Sequence, residues 1–132
     1  MDYDEVAELC LERAGVEPGK EVLDVGCGTG NAAIPAARMG ARVTGLEPWR
    51  ELLDIARERA ADAMVEVDWV EGDPRRLPFE DGSFDCVISM FGEPDERELL
   101  RVSRGSVVTA SRTGDGYRVA VVRSSTSISS SA

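Results

Sequence analysis

The sequence predicts a three-layer α/β/α fold built on a doubly wound, mostly parallel sheet, and three observations carry that prediction. Short apolar runs of strand length alternate with helix-periodic stretches over residues 20–110. The first apolar run ends in three glycines at alternate positions, Gly26, Gly28 and Gly30, just ahead of an alanine-rich stretch. A final strand-like run, Tyr117–Val122, follows Gly114-Asp115-Gly116 and can fold back as a hairpin. The expected strand order is 3-2-1-4-5, with an antiparallel strand at the edge.

Taken in order, residues 2–14 form a helix: Tyr3, Val6, Ala7, Cys10 and Ala14 recur at helical spacing, and Gly15 stands at the C-terminal cap. Pro18-Gly19 turns the chain into a first strand, Glu21–Val25. A helix from about Asn31 to Met39 contains Pro35, which loses no hydrogen bond only if it falls in the first turn. Gly40 ends that helix and a second strand, Arg42–Leu46, follows. Pro48 suits the first position of the next helix, which over Trp49–Ala61 gathers Leu52, Leu53, Ala56 and Ala60 on one face. Val65–Val70 and Phe84–Met90 read as the third and fourth strands, Asp95–Val102 as a short helix, and Ser106–Ala110 as the fifth strand. Val107–Ser111 then pairs with Tyr117–Val122. One domain over residues 1–123 is expected, with the serine-rich Ser124–Ala132 as a disordered tail.

Composition removes several function classes. The 132 residues carry 25 acidic and 15 basic side chains and no histidine, for a formal charge of −10. Such a surface repels phosphate backbones and anionic lipid, so neither nucleic acid nor membrane is an expected partner. No apolar run reaches membrane-spanning length, and the acidic start Met1-Asp2-Tyr3-Asp4-Glu5 is unlike a signal peptide. Cys10, Cys27 and Cys86 are odd in number and widely spaced, which suits free buried thiols in a reducing cytoplasm and no metal site.

The chemistry is concentrated in Val22–Asn31. A strand, a tight turn and a helix N-terminus form a place where peptide N–H groups meet a nucleotide-like cofactor without obstruction by Cβ atoms. A dinucleotide turn would read G-x-G-x-x-G, but Asn31 stands where its last glycine belongs. Asp24, two places before Gly26, would crowd a pyrophosphate and suit a cationic amino group. A nicotinamide-dependent dehydrogenase is therefore disfavoured. Glu47 lies twenty-one positions after Gly26, at the end of the second strand. A carboxylate there can accept both hydroxyls of a ribose, or can serve the N-terminus of the following helix, or both.

These residues resemble the first motif of the class I S-adenosylmethionine-dependent methyltransferases, a Rossmann-like family. The likeness is close from Gly30 through Arg38 and from Gly45 to Glu47. It continues in Leu77-Pro78-Phe79 and Asp81-Gly82-Ser83-Phe84-Asp85, and covers roughly residues 20–111. It points to the small-molecule branch, similar to ubiquinone and menaquinone methyltransferases. The resemblance implies S-adenosylmethionine as cofactor and S-adenosylhomocysteine as product. Cofactor contacts would come from Asp24, Gly26, Cys27, Gly28 and Gly30 on the turn, and from Glu47, Pro48 and Trp49 after the second strand. Asp73 and Pro74 after the third strand, and Met90 at the end of the fourth, complete the set.

In that family the acidic residue at Asp73 accepts from the adenine amine, although an aspartate before Pro74 also forms turns. Trp49 can cover the adenine or pack in the core, and Phe91 can face a ligand or pack. Asp85 reads as fixing the turn into the fourth strand. After Gly92 the match weakens: relatives carry a Pro-Gly-Gly turn where this chain has Arg104-Gly105-Ser106, and continue for further strands. The reading is thus a methyltransferase core, apparently shortened on its C-terminal side, acting on a small-molecule acceptor. The alternative is a truncated, minimal or engineered cofactor-binding domain without its own catalysis. Acceptor contacts would come from residues 2–14 and Met90–Glu96, or from a second copy covering an open cleft. Glu93, Asp95 and Tyr117 are available as bases, and no catalytic residue is assigned.

Overall fold

The computed structural model describes residues 1–125. Along the chain run α1 (Tyr3–Ala14), β1 (Glu21–Val25), α2 (Ala33–Arg38), β2 (Arg42–Glu47) and α3 (Arg50–Asp62). Then come β3 (Asp68–Glu71), β4 (Phe84–Met90), α4 (Glu96–Val102), β5 (Ser103–Arg112) and β6 (Tyr117–Arg123). The strands make one sheet in the order β3-β2-β1-β4-β5-β6. All neighbours are parallel except β5 and β6, whose antiparallel ladder runs from Val107↔Arg123 to Arg112↔Tyr117. The expected order and edge strand are both present. The serine-rich run lies, from residue 126 on, outside the described residues. Among those described, no helix is long and apolar enough to cross a membrane.

Each face of the sheet has its own core. Val6, Ala7, Cys10 and Leu11 of α1 and Ala33 and Ala36 of α2 pack on Val22, Val43, Ile88 and Val108. On the other face Leu99 and Val102 of α4 join Leu77, Phe84, Leu23, Val25, Leu46, Val87 and Val107. Strand side chains alternate between faces, so neighbouring Val22 and Leu23 serve opposite cores. The three cysteines are free and buried. The Cys86 thiol and Ser106 hydroxyl donate to the Ala14 carbonyl at 3.2 and 2.6 Å, satisfying the last turn of α1.

Local chemistry explains the element ends. Asp2 caps α1, with Glu5 reaching back in a capping box, and Gly15 ends it at φ 72°. Pro35 falls in the first turn of α2 and costs it no bond. Pro48 is not the first residue of α3, as its type suggests; the helix begins at Arg50 with Trp49 as its cap. The Trp49 N–H is held by the Glu47 carboxylate at 3.2 Å, which keeps this residue extended. β3 is shorter than the expected Val65–Val70. Met64 turns left-handed at φ 59°, and the Val65 N–H bonds back to Ala60, so these residues close α3 instead. β5 starts three residues earlier than expected, directly from α4 and without a loop.

Asp85 fixes the lower edge of the sheet. It accepts from the Glu21 N–H at 2.9 Å and from Arg104 Nε at 2.9 Å, joining β1, β4 and β5. This permits the close crossing at Gly105, where a Cβ would collide with the Asp85 carbonyl beside the register shift at Phe84/Cys86. Gly105→Ala should therefore destabilise the fold by about 2–3 kcal/mol, as overpacking does. Urea unfolding measures it; a midpoint equal to that of the parent would show that the crossing relaxes freely.

Candidate functional site

The turn after β1 is sewn onto the end of β2. The N–H groups of Gly26 and Cys27 both donate to the Leu46 carbonyl, at 2.8 and 3.0 Å. One residue on, the Gly28 N–H donates to Glu47 Oε1 at 2.8 Å, while Glu47 Oε2 takes the Trp49 N–H. Gly26, Gly28 and Gly30 have φ of 76°, 54° and 92°, conformations that side-chain-bearing residues rarely adopt.

Their surroundings separate two roles. A Cβ on Gly28 would meet nothing within 4 Å, and one on Gly26 only the Gly92 Cα at 3.9 Å. These two glycines keep open the approach to the peptides. By contrast, a Cβ on Gly30 would press on Ile34 at 2.9 Å and on Trp69 at 3.2 Å. Packing, together with the positive φ, calls for a glycine at position 30. Trp69, which the sequence reading left out, stands in register with Gly45 on β2. A Cβ on Gly45 would lie 2.8 Å from its ring and 3.0 Å from the Cys27 sulfur. An aromatic ring opposite a glycine on the neighbouring strand was the available signal.

A cleft of about 910 Å³ opens beyond the ends of β2 and β3, lined by Pro48, Trp49, Glu71, Gly72, Asp73, Pro74, Arg75 and Glu93. Trp49 is 65% exposed here, so it packs in no core. Asp73 accepts from the N–H and Nε of Arg75 at 2.8 and 3.3 Å, both on Oδ1, which leaves Oδ2 able to accept from an amine. Those bonds to Arg75 hold its carboxyl below the usual carboxylate range. Met90 is buried at the end of β4.

After Met90 the chain bends through Phe91 at φ 60°, a strained conformation for an aromatic residue. Its ring lies 5.1 Å from that of Tyr3 and 5.2 Å from that of Tyr117, and the Arg112 guanidinium sits 5.8 Å from both Phe91 and Tyr117. An aromatic wall thus joins α1 to the ends of β4, β5 and β6. Of the bases considered, Asp95 caps α4 through the Arg97 N–H, Glu93 lines the cleft and Tyr117 belongs to this wall.

Asp24 lies beneath the turn, 2% exposed, and its carboxyl accepts from the Ala33 N–H at the start of α2. Burial, and then the Glu47 carboxylate, push its pKa up to about 7. The same burial, with Asp24 and Glu47 adding to it, raises the Cys27 thiol well above its ordinary value. The site therefore holds two buried acidic groups, one of them readily protonated, under an open peptide surface. That combination suits a ligand with hydroxyls to donate and a cationic group to place near Asp24.

Residues 22–105 match a methyltransferase domain family. An uncharacterised protein of Mycobacterium tuberculosis is 39% identical over 133 residues, covering 88% of this chain and 48% of that protein. A demethylmenaquinone methyltransferase of Renibacterium salmoninarum is 37% identical over 111 residues, covering 77% of this chain and 45% of its own. Among solved structures, the (4+2)-cyclase SpnF matches with a TM-score of 0.75 at 31% identity, over 82% of this chain and 44% of that one. The chain spans about half the length of the curated relatives it matches.

The buried Asp24 has a consequence for pH. Its folded pKa is raised, so the proton it retains stabilises the fold at low pH. That contribution falls between the ordinary value of 3.8 and about 7, as the unfolded chain ionises first. The slope is about 1.4 kcal/mol per pH unit over that window. Asp24→Asn keeps an acceptor for Ala33 and removes the titration. The variant should melt higher than the parent at pH 8, with the difference vanishing near pH 4. Parallel melting profiles across that range would refute the assignment.

Proposed function

Because the chain belongs to the class I S-adenosylmethionine-dependent methyltransferases, whose cofactor is S-adenosylmethionine, we propose that it transfers the methyl group to a small-molecule acceptor. The observation that carries this reading is the open space over the Gly28 peptide, beside a Glu47 carboxylate already oriented by the Gly28 and Trp49 N–H groups. Each carboxylate oxygen has a second lone pair, so Glu47 can receive two ribose hydroxyls while keeping those bonds. In this reading Asp73 accepts from the adenine amine, with Pro48, Trp49 and Pro74 as walls. Gly26, Cys27 and Gly28 face the methionine portion, Asp24 supplies negative charge for its amino group, and Met90 edges the site.

Bound there, S-adenosylmethionine supplies a methyl group on a cationic sulfur that departs as a neutral thioether. The chain's own contribution is alignment and exclusion of water, and alignment alone can supply up to about 7–11 kcal/mol. Tyr3, Phe91 and Tyr117 offer an apolar wall to the acceptor, and Glu93 is a carboxylate at the cleft. A second copy covering the open cleft belongs to the same reading, and sedimentation of the ligand-bound protein as a monomer would remove it. The three free thiols and the acidic surface favour a reducing cytoplasm.

Calorimetric titration with S-adenosylmethionine and S-adenosylhomocysteine, with NAD as control, is the direct test. Both sulfur nucleotides should bind saturably and NAD should not. Glu47→Ala should raise Kd at least tenfold, about 1.4 kcal/mol or more, the scale of hydrogen bonds to a charged acceptor. An unchanged affinity would defeat the ribose assignment, and no binding of either sulfur nucleotide would defeat the proposed function itself.

A further inference from the structure

Arg59 lies on the exposed face of α3, where arginines ordinarily make local pairs or none. Arg57, two residues earlier, does so with Asp54. Arg59 instead reaches back to the turn before α2. Its Nη1 bonds the Thr29 carbonyl at 2.8 Å, the Thr29 hydroxyl at 3.1 Å and Asn31 Oδ1 at 2.8 Å. Nη1 has two hydrogens for these three acceptors, so one bond is shared. The N–H of the same Thr29–Gly30 peptide donates to the Cys27 carbonyl at 2.9 Å. That peptide is held at both of its polar ends, which restrains its plane. Asn31, with Oδ1 engaged, is also a side-chain hydrogen-bonding neighbour of the Tyr3 hydroxyl. Tyr3 in turn packs on Phe91. One guanidinium is thereby connected to the glycine turn and, through a single asparagine, to the aromatic wall.

We propose that Arg59 is a positioning residue that clamps the Thr29–Gly30 peptide and, through Asn31, ties the order of the cofactor turn to that of Tyr3. The inference rests on the cofactor reading given above. Glycines leave the turn intrinsically free to rearrange, and a clamp from outside removes that freedom before the ligand arrives. All three bonds come from one guanidinium nitrogen, Nη1. A lysine would restore the charge and the donors on a stem one atom shorter. Asn31, the residue that departs from the dinucleotide pattern, is the crosspiece.

The test combines S-adenosylhomocysteine titration with amide hydrogen exchange of the ligand-free protein. Arg59→Ala should raise Kd about tenfold, Arg59→Lys should recover only part of that loss, and Arg59→Ala with Asn31→Ala should bind no worse than Arg59→Ala alone. In the ligand-free Arg59→Ala protein, exchange at the Gly30 amide should accelerate at least tenfold while the Gly15 amide, which caps α1, stays at the parental rate. A Kd within twofold of the parent, unchanged exchange at Gly30, or equal acceleration at Gly15 would each overturn the clamp. If the parent protein binds neither sulfur nucleotide, the cofactor reading has failed. The exchange comparison then decides the clamp by itself, because it needs no ligand.

Discussion

The seam between the end of β2 and the turn after β1 is the constraint on which the site depends. Three consecutive N–H groups, those of Gly26, Cys27 and Gly28, are taken by Leu46 and Glu47. The parallel register brings Val25 beside Leu46, so the chain leaving β1 must bend at once over its neighbour. Only residues tolerant of positive φ make that bend, which is why the glycines alternate. Glu47 then has two tasks with one carboxylate: it holds the turn and takes the Trp49 N–H ahead of α3. Elsewhere the sheet could accept many apolar residues of suitable size; here it could not.

Burial of two carboxylates a strand apart is costly in a chain that is already strongly acidic. Asp24 meets part of that cost by holding its proton more tightly than a solvated aspartate, and part by accepting from Ala33. A sequence selected for stability alone would place a neutral acceptor there. Under the proposed function, the retained acid is strain maintained for a ligand of opposite charge, the usual location of such conflicts being a functional site.

Legibility followed the range of the interactions. Strand order, the edge hairpin and the alternating faces could be read because periodicity and turn residues are local signals. Gly26, Gly28 and Glu47 could be singled out because their spacing maps onto adjacent strand ends. Trp69 escaped because its importance lies in what it displaces from Gly45 and Gly30, residues on another strand and in a turn. Arg59 escaped because an arginine on the polar face of an amphipathic helix is indistinguishable, in sequence, from one that only solvates it. The start of β3 was misjudged because Met64 adopts a left-handed conformation ordinarily left to glycine or asparagine.

The three buried cysteines give the molecule an internal clock. Burial raises Cys10 to about 11 and lifts Cys27 and Cys86 above their ordinary values, so each thiol is kept protonated and poorly nucleophilic while the fold is closed. An alkylating reagent in solution then reacts only during openings, and the position modified records which opening occurred. Cys10 and Cys86, both packed beneath α1, report its detachment, and Cys27 loosening of the turn itself. The lifetime of the closed site can thus be timed against that of the whole fold in one mass spectrum.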